Sequence, residues 1–201
     1  MTLLNDYLPR GIVILDASVL INLLGCGEPV AVLEGLGEKC LMEQRTLREV
    51  RKHPIPGFSH AEPLRALVSA GTLEEVRMNE AEYETYLSFV SGPLGTRLDD
   101  GESAALAVSG RGSSLVLDER KARRRAGSSA NGATVVSTLQ LILTSSYRRG
   151  WSVERVRDLV SSARQHARMG VPKEESALLD NLSRQSRNQT RNPMTGPPLV
   201  R

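Results

Sequence analysis

Apolar residues along the chain follow two rhythms. Short continuous apolar runs, IVIL at 12–15, SLVL at 114–117 and ATVV at 133–136, have the form of strands buried on both faces of a sheet, not the alternation of half-solvated strands. Further strand candidates lie at 39–42 and 73–77. Helical stretches fall between them, near 18–24, 28–36, 46–52, 61–70, 79–90, 99–109 and 119–126, and helices at 137–148, 152–167 and 173–183 close the chain. Strand and helix in alternation predict an α/β fold with a parallel sheet covered on both faces. In such open sheets ligands sit beyond the carboxyl ends of the strands. Asp16 follows IVIL directly and Asp118 follows LVL directly, so the pattern sends two carboxylates to one edge, above the middle strands.

Each aspartate alone has a plainer account, as an acceptor for the next turn or a cap on the next helix. Two in the same register are harder to explain that way. Two further acids sit on helices that could flank the crevice. Glu49 lies in TLREVRKH beside Leu47 and Val50, although its cationic neighbours Arg48, Arg51 and Lys52 also suit a solvated face. Glu102 lies in LDDGESAALAVSG, three residues after Asp99, a spacing that equally fits a capping box. Local sequence does not separate cap from ligand.

Taken together, VILDASVLINLL, TLREV, the run from DGESAALAVS through LVLDERKARRRA, and the closing ATVVSTLQLIL resemble the PIN-domain nucleases, in particular a compact prokaryotic branch with many toxins of toxin–antitoxin pairs. The resemblance spans about residues 12 to 165. It implies a three-layer α/β/α PIN-like fold with a central, mainly parallel sheet of about five strands. It also implies an acidic, metal-ligating and catalytic cluster at Asp16, Glu49, Glu102 and Asp118, supported by Ser18 and Glu119. Some relatives carry a further acid two residues after the last aspartate, where this chain has Arg120. The implied activity is metal-dependent endoribonuclease cleavage of RNA, with an antitoxin protein as partner. A catalytically inactive PIN module that binds RNA or protein stays open as the alternative. A receiver-like signalling domain fits less well, since Ser137 and Thr138 stand where that fold needs a lysine.

The residue types suit the chemistry. Crowded carboxylates repel one another and stay ionised at neutral pH only when a cation offsets them, and oxygen-only donors favour Mg²⁺ or Mn²⁺. Positive charge for a phosphate substrate comes from ERKARRRA, where Lys121 and Arg124 are the substrate-binding candidates.

Composition narrows the rest. The 201 residues carry a formal charge of +3 and 3% aromatics, so base stacking is not a main source of affinity. Four arginines and no acid mark the segment from 182, read as a mobile basic tail after a domain at 1–168, within a C-terminal region at 169–201 that opens with a helix. His53, His60 and His166 are scattered without ligand spacing, Trp151 reads as a packing anchor, and no phosphate-binding GxxxxGK[ST] loop occurs. Cys26 and Cys40 are too few and too poorly spaced for a disulfide framework. With neither a signal peptide nor a membrane-length apolar run, the chain reads as cytoplasmic, with no membrane partner and a homodimer left open.

Overall fold

The computed structural model describes residues 4–52, 60–93, 97–129 and 132–189. Five strands, β1 (Val13–Leu15), β2 (Cys40–Glu43), β3 (Leu73–Val76), β4 (Ser114–Val116) and β5 (Thr134–Val136), form one parallel sheet in the order β3-β2-β1-β4-β5. The winding reverses between β1 and β4, which opens a crevice at their carboxyl ends. Their register pairs Val13 with Ser114 and Leu15 with Val116, so Asp16 and Asp118 leave the sheet at nearly the same level. The backbone N–H of Asp16 donates to the Val116 carbonyl at 3.3 Å.

The helices are α1 (Ala17–Gly25), α2 (Pro29–Leu36), α3 (Gln44–Lys52), α4 (Ala61–Ser69), α5 (Glu80–Val90), α6 (Asp100–Ala107), α7 (Arg120–Ser129), α8 (Thr138–Arg149), α9 (Val153–His166) and α10 (Ser176–Gln189). Alternate strand side chains decide which helices cover which face. Val13, Leu15, Cys40, Met42, Val116 and Val136 point into a core shared with α1–α4, α8 and α9. Ile14, Leu41, Leu115 and Leu117 point the other way, against α5, α6 and α7. The three-layer α/β/α architecture follows from that alternation.

All five strands lie within a residue of the positions read from the sequence. Trp151 packs against the larger core, and both cysteines are buried and free. At the C-terminus, α10 continues helical past residue 182, because Leu178, Leu179 and Leu182 pack on the core that also holds α9. The rest of the basic tail, 190–201, lies outside the described residues, as does His53. No helix among the described residues is long and apolar enough to cross a membrane.

One buried cation ties the start of the chain to the body. Arg148, on α8, has a side chain only 5% exposed and pairs with Asp6 at 2.8 Å and Glu38 at 3.3 Å. It also donates to the carbonyls of Leu36 and Leu8, each at 2.7 Å. Removing it deprives two carboxylates and two part-buried carbonyls of one shared donor. Arg148→Ala is therefore expected to destabilise the fold by about 3 kcal/mol. Arg148→Lys should recover less than half of that, since one ammonium cannot span four acceptor residues on two segments; urea denaturation of the three proteins measures both.

Candidate active site

At the carboxyl end of the sheet lies a cleft of about 380 Å³, and six carboxylates line it: Asp16, Glu49, Asp99, Glu102, Asp118 and Glu119. Each arrives for a local reason. Asp16 ends β1 and caps α1, its Oδ2 accepting from the Ser18 N–H at 3.2 Å and the Ser18 hydroxyl at 2.6 Å. Thus the cap interaction fixes one carboxylate oxygen, and the Ala17 N–H also stabilises the carboxylate at the cleft. Glu49 comes from α3, brought close by Gly101: a Cβ on that glycine would lie 2.5 Å from Glu49 Oε2. Asp99 and Glu102 form the capping box of α6, with Glu102 N–H donating to Asp99 Oδ1 at 2.8 Å and a long return bond of 3.4 Å to Glu102 Oε2. Cap and cleft are therefore compatible at Glu102, whose second oxygen has no hydrogen bond among the described residues.

Asp118 is held differently. Its Oδ1 accepts from the Thr138 N–H at 2.8 Å, and its Oδ2 from the Thr138 hydroxyl at 2.5 Å and the Asn22 amide at 2.8 Å. Two of the four lone-pair sites on Asp118 are filled on Oδ2, so Oδ1 keeps the spare one. These donors bind β4, α1 and α8 together under the cleft. Asn22 and Thr138 escape a reading for titratable groups, though a lone asparagine inside the apolar run SVLINLL is a visible signal.

None of the six acids forms an ion pair with a cation among the described residues. The electrostatic consequence is a set of carboxyls that hold protons unusually well. Burial pushes Asp16 up to about 6, with the Ser18 hydrogen bonds pulling back and Asp99 adding to the rise. Burial, then the charges of Asp99 and Asp16, push Glu102 up to about 7. Glu49 is raised by burial and by Asp99, Asp16 and Asp100, and Asp118 is raised by burial against its three hydrogen bonds and the charge of Arg123. Among the described residues no three His, Cys, Asp or Glu side chains are gathered closely enough to hold a metal ion as they stand. The donor chemistry nevertheless fits a hard divalent cation: every donor is oxygen, none of the six acids is ion-paired among the described residues, and Glu49 and Glu102 sit on long side chains able to turn inward.

A family model described as DUF3368, a PIN domain, matches residues 12–182. The chain belongs to the PIN-domain family. No curated protein and no solved structure matches it. PIN domains are nuclease-type folds that typically use divalent metals, and the carboxylate cleft at the β1–β4 crevice is this PIN domain's candidate active site.

The basic residues of α7 divide among neighbouring clefts of the PIN domain. Lys121 borders a wide cleft of about 970 Å³ that shares Asp99, Glu102 and Glu119 with the acidic one, and its ammonium donates to the Arg97 carbonyl. Arg124 borders a separate cleft of about 670 Å³ between α7 and the 170–174 segment, which also reaches Asp118 and Glu119. Arg123 is structural, pairing with Glu174 at 3.6 Å and Glu175 at 3.4 Å and donating to the Leu117 carbonyl at 3.0 Å. Arg168, which carries no sequence signal, lines the acidic cleft itself.

Two tests follow from this geometry. Gly101→Ala forces Glu49 away while leaving every carboxylate in the chain, so it should lower any activity of the site at least about 10-fold, with the fold retained on a thermal melt. The raised carboxyls predict a pH trend. Because Asp16 and Glu102 hold protons more tightly folded than unfolded, the folded protein binds more protons between about pH 4 and pH 7 and loses stability as pH rises through that window. Asp16→Asn keeps a cap but removes one such group, so it should raise the melting temperature of metal-free protein at about pH 8 and leave it little changed at about pH 4.

Proposed function

We propose that this PIN domain is a Mg²⁺- or Mn²⁺-dependent endoribonuclease that hydrolyses RNA phosphodiester bonds and acts as the toxin of a toxin–antitoxin pair. One observation carries the enzymatic reading: six carboxylates line a single cleft without a paired cation among the described residues. Like charges gathered at such cost in stability are explained by a cation that binds among them. In this reading Asp16, Glu49 and Glu102 hold the metal through their carboxylate oxygens, and Asp118 contributes Oδ1. When bound, the divalent ion supplies water activation and neutralises charge on a phosphodiester. Ser18 holds one Asp16 oxygen, Asn22 and Thr138 stabilise the charge of Asp118 and fix it, and Glu119 borders the cleft. Lys121 and Arg124 meet phosphates in the two flanking clefts, giving attraction without cancelling the acids. The toxin role and a protein antitoxin rest on the resemblance to the compact prokaryotic branch of the family.

The other reading, a PIN module that binds RNA without cutting it, draws support from the three hydrogen bonds that occupy Asp118. Cleavage of structured RNA separates the two. Wild type with Mg²⁺ or Mn²⁺ should cut and EDTA should stop it, while Asp16→Asn should lose at least about 100-fold in rate with no loss of melting temperature. Cleavage that survives EDTA, or an Asp16→Asn protein as fast as wild type, rules the metal site out.

A further inference from the structure

Helix α9 ends in an unusual turn. Both Ala167 and Met169 donate their backbone N–H to the Ala163 carbonyl, at 2.9 and 3.2 Å, and between them Arg168 adopts φ 57°, the left-handed region. It is the single non-glycine residue with positive φ among the described residues. A helix closed this way normally has glycine at that position, because a Cβ there crowds the backbone. Helix-end electrostatics do not demand the arginine, since Arg164 and His166 already stand in the last turn of α9.

The turn is also pinned in place. Ala167 packs so closely on Gly25 that a Cβ there would lie 2.5 Å from the Ala167 Cβ, and the Ser162 hydroxyl donates to the Gly25 carbonyl at 3.0 Å. Met169, at 4% exposure, is buried in the core beneath. Arg168 itself is exposed and lines the cleft of the six carboxylates. Its guanidinium makes no hydrogen bond or ion pair among the described residues, and no other cation lines that cleft among them.

We propose that Arg168 is a substrate-binding residue of this site, holding the non-bridging oxygens of an RNA phosphate that enters the acidic cleft. The inference rests on the ribonuclease reading above and adds a residue that reading does not use. Backbone strain tends to persist where function over-determines it. A strained turn that sets an exposed arginine at the border of a cleft lined by acids has a simple logic. The carboxylates serve the metal, and the fork of the guanidinium, which can grip two phosphate oxygens at once, stays available for the substrate. Lys121 reaches the neighbouring cleft from α7 while Arg168 comes from the end of α9, so a strand would be gripped from two elements with the acids between them.

Arg168→Gly tests this because it removes the side chain and relieves the backbone together. A phosphate-binding role predicts a higher melting temperature, cleavage of a random-sequence RNA oligonucleotide slowed at least about 10-fold, and Arg168→Lys intermediate in rate. A second arm measures binding of the same labelled RNA, with Mg²⁺ present, to Asp16→Asn and to Asp16→Asn/Arg168→Gly. The double variant should bind at least about 3-fold more weakly, with a log–log salt slope shallower by about 0.7, the loss of one phosphate contact on a single strand. If Arg168 merely closes the helix, Arg168→Gly cuts and binds as well as its parent, and the proposal is overturned. Should the parent protein bind RNA without cutting it, the ribonuclease reading fails separately. The binding arm still decides Arg168: weaker binding with the shallower slope supports it, and unchanged binding overturns it.

Discussion

Parallel strands buried on both faces leave their carboxyl ends as the place where polar side chains can emerge, and in this protein the reversal of winding between β1 and β4 sets that place. The pairing of Leu15 with Val116 brings Asp16 and Asp118 to one level. The bond from Asp16 N–H to the Val116 carbonyl and the bond from Asn22 to Asp118 cross the same junction. Everything else at the site is arranged around it: α3 and α6 lean in with Glu49 and Glu102, and α8 supplies Thr138 from below.

The acids are not equivalent. Asp118 is wrapped in three hydrogen bonds from its own fold, which stabilise its charge and limit how it can move. Asp16 is half committed to its cap, and Glu49 and Glu102 are the least tethered. A cluster graded in this way has a rigid floor and a movable rim, which suits the proposed binding of a cation and then a phosphodiester. Gly101 matters for the same reason, because its missing side chain is the space into which Glu49 fits.

The surrounding charges are segregated. Arg123 and Arg148 are used up in structural pairs with Glu174, Glu175, Asp6 and Glu38, and Arg45 and Arg125 lie over the rings of Tyr86 and Phe89 at 4.7 and 5.3 Å. Several basic residues of the domain thus already have partners. That leaves a modest electrostatic excess for substrate, in keeping with a net charge of only +3.

By itself the sequence determined the alternation of strands and helices, because apolar runs of four residues and helical spacing are local signals that burial turns directly into secondary structure. It also marked Asp16 and Asp118, since residues that follow a buried strand must leave the sheet at its edge. Family likeness added Glu49 and Glu102, whose local patterns read equally well as a solvated face and a cap. What tertiary structure alone decided is which of these acids share a cleft, which oxygens remain free, and that Asp99 joins them. It also gave Arg123 to the fold and Arg168 to the cleft, although one sits in a conspicuous basic run and the other in an unremarkable stretch. The physical reason is range: a capping box or a strand end is written in three or four neighbouring residues. That Arg168 and Asp16 line one cleft depends instead on where α9 ends against α1, which no local pattern records.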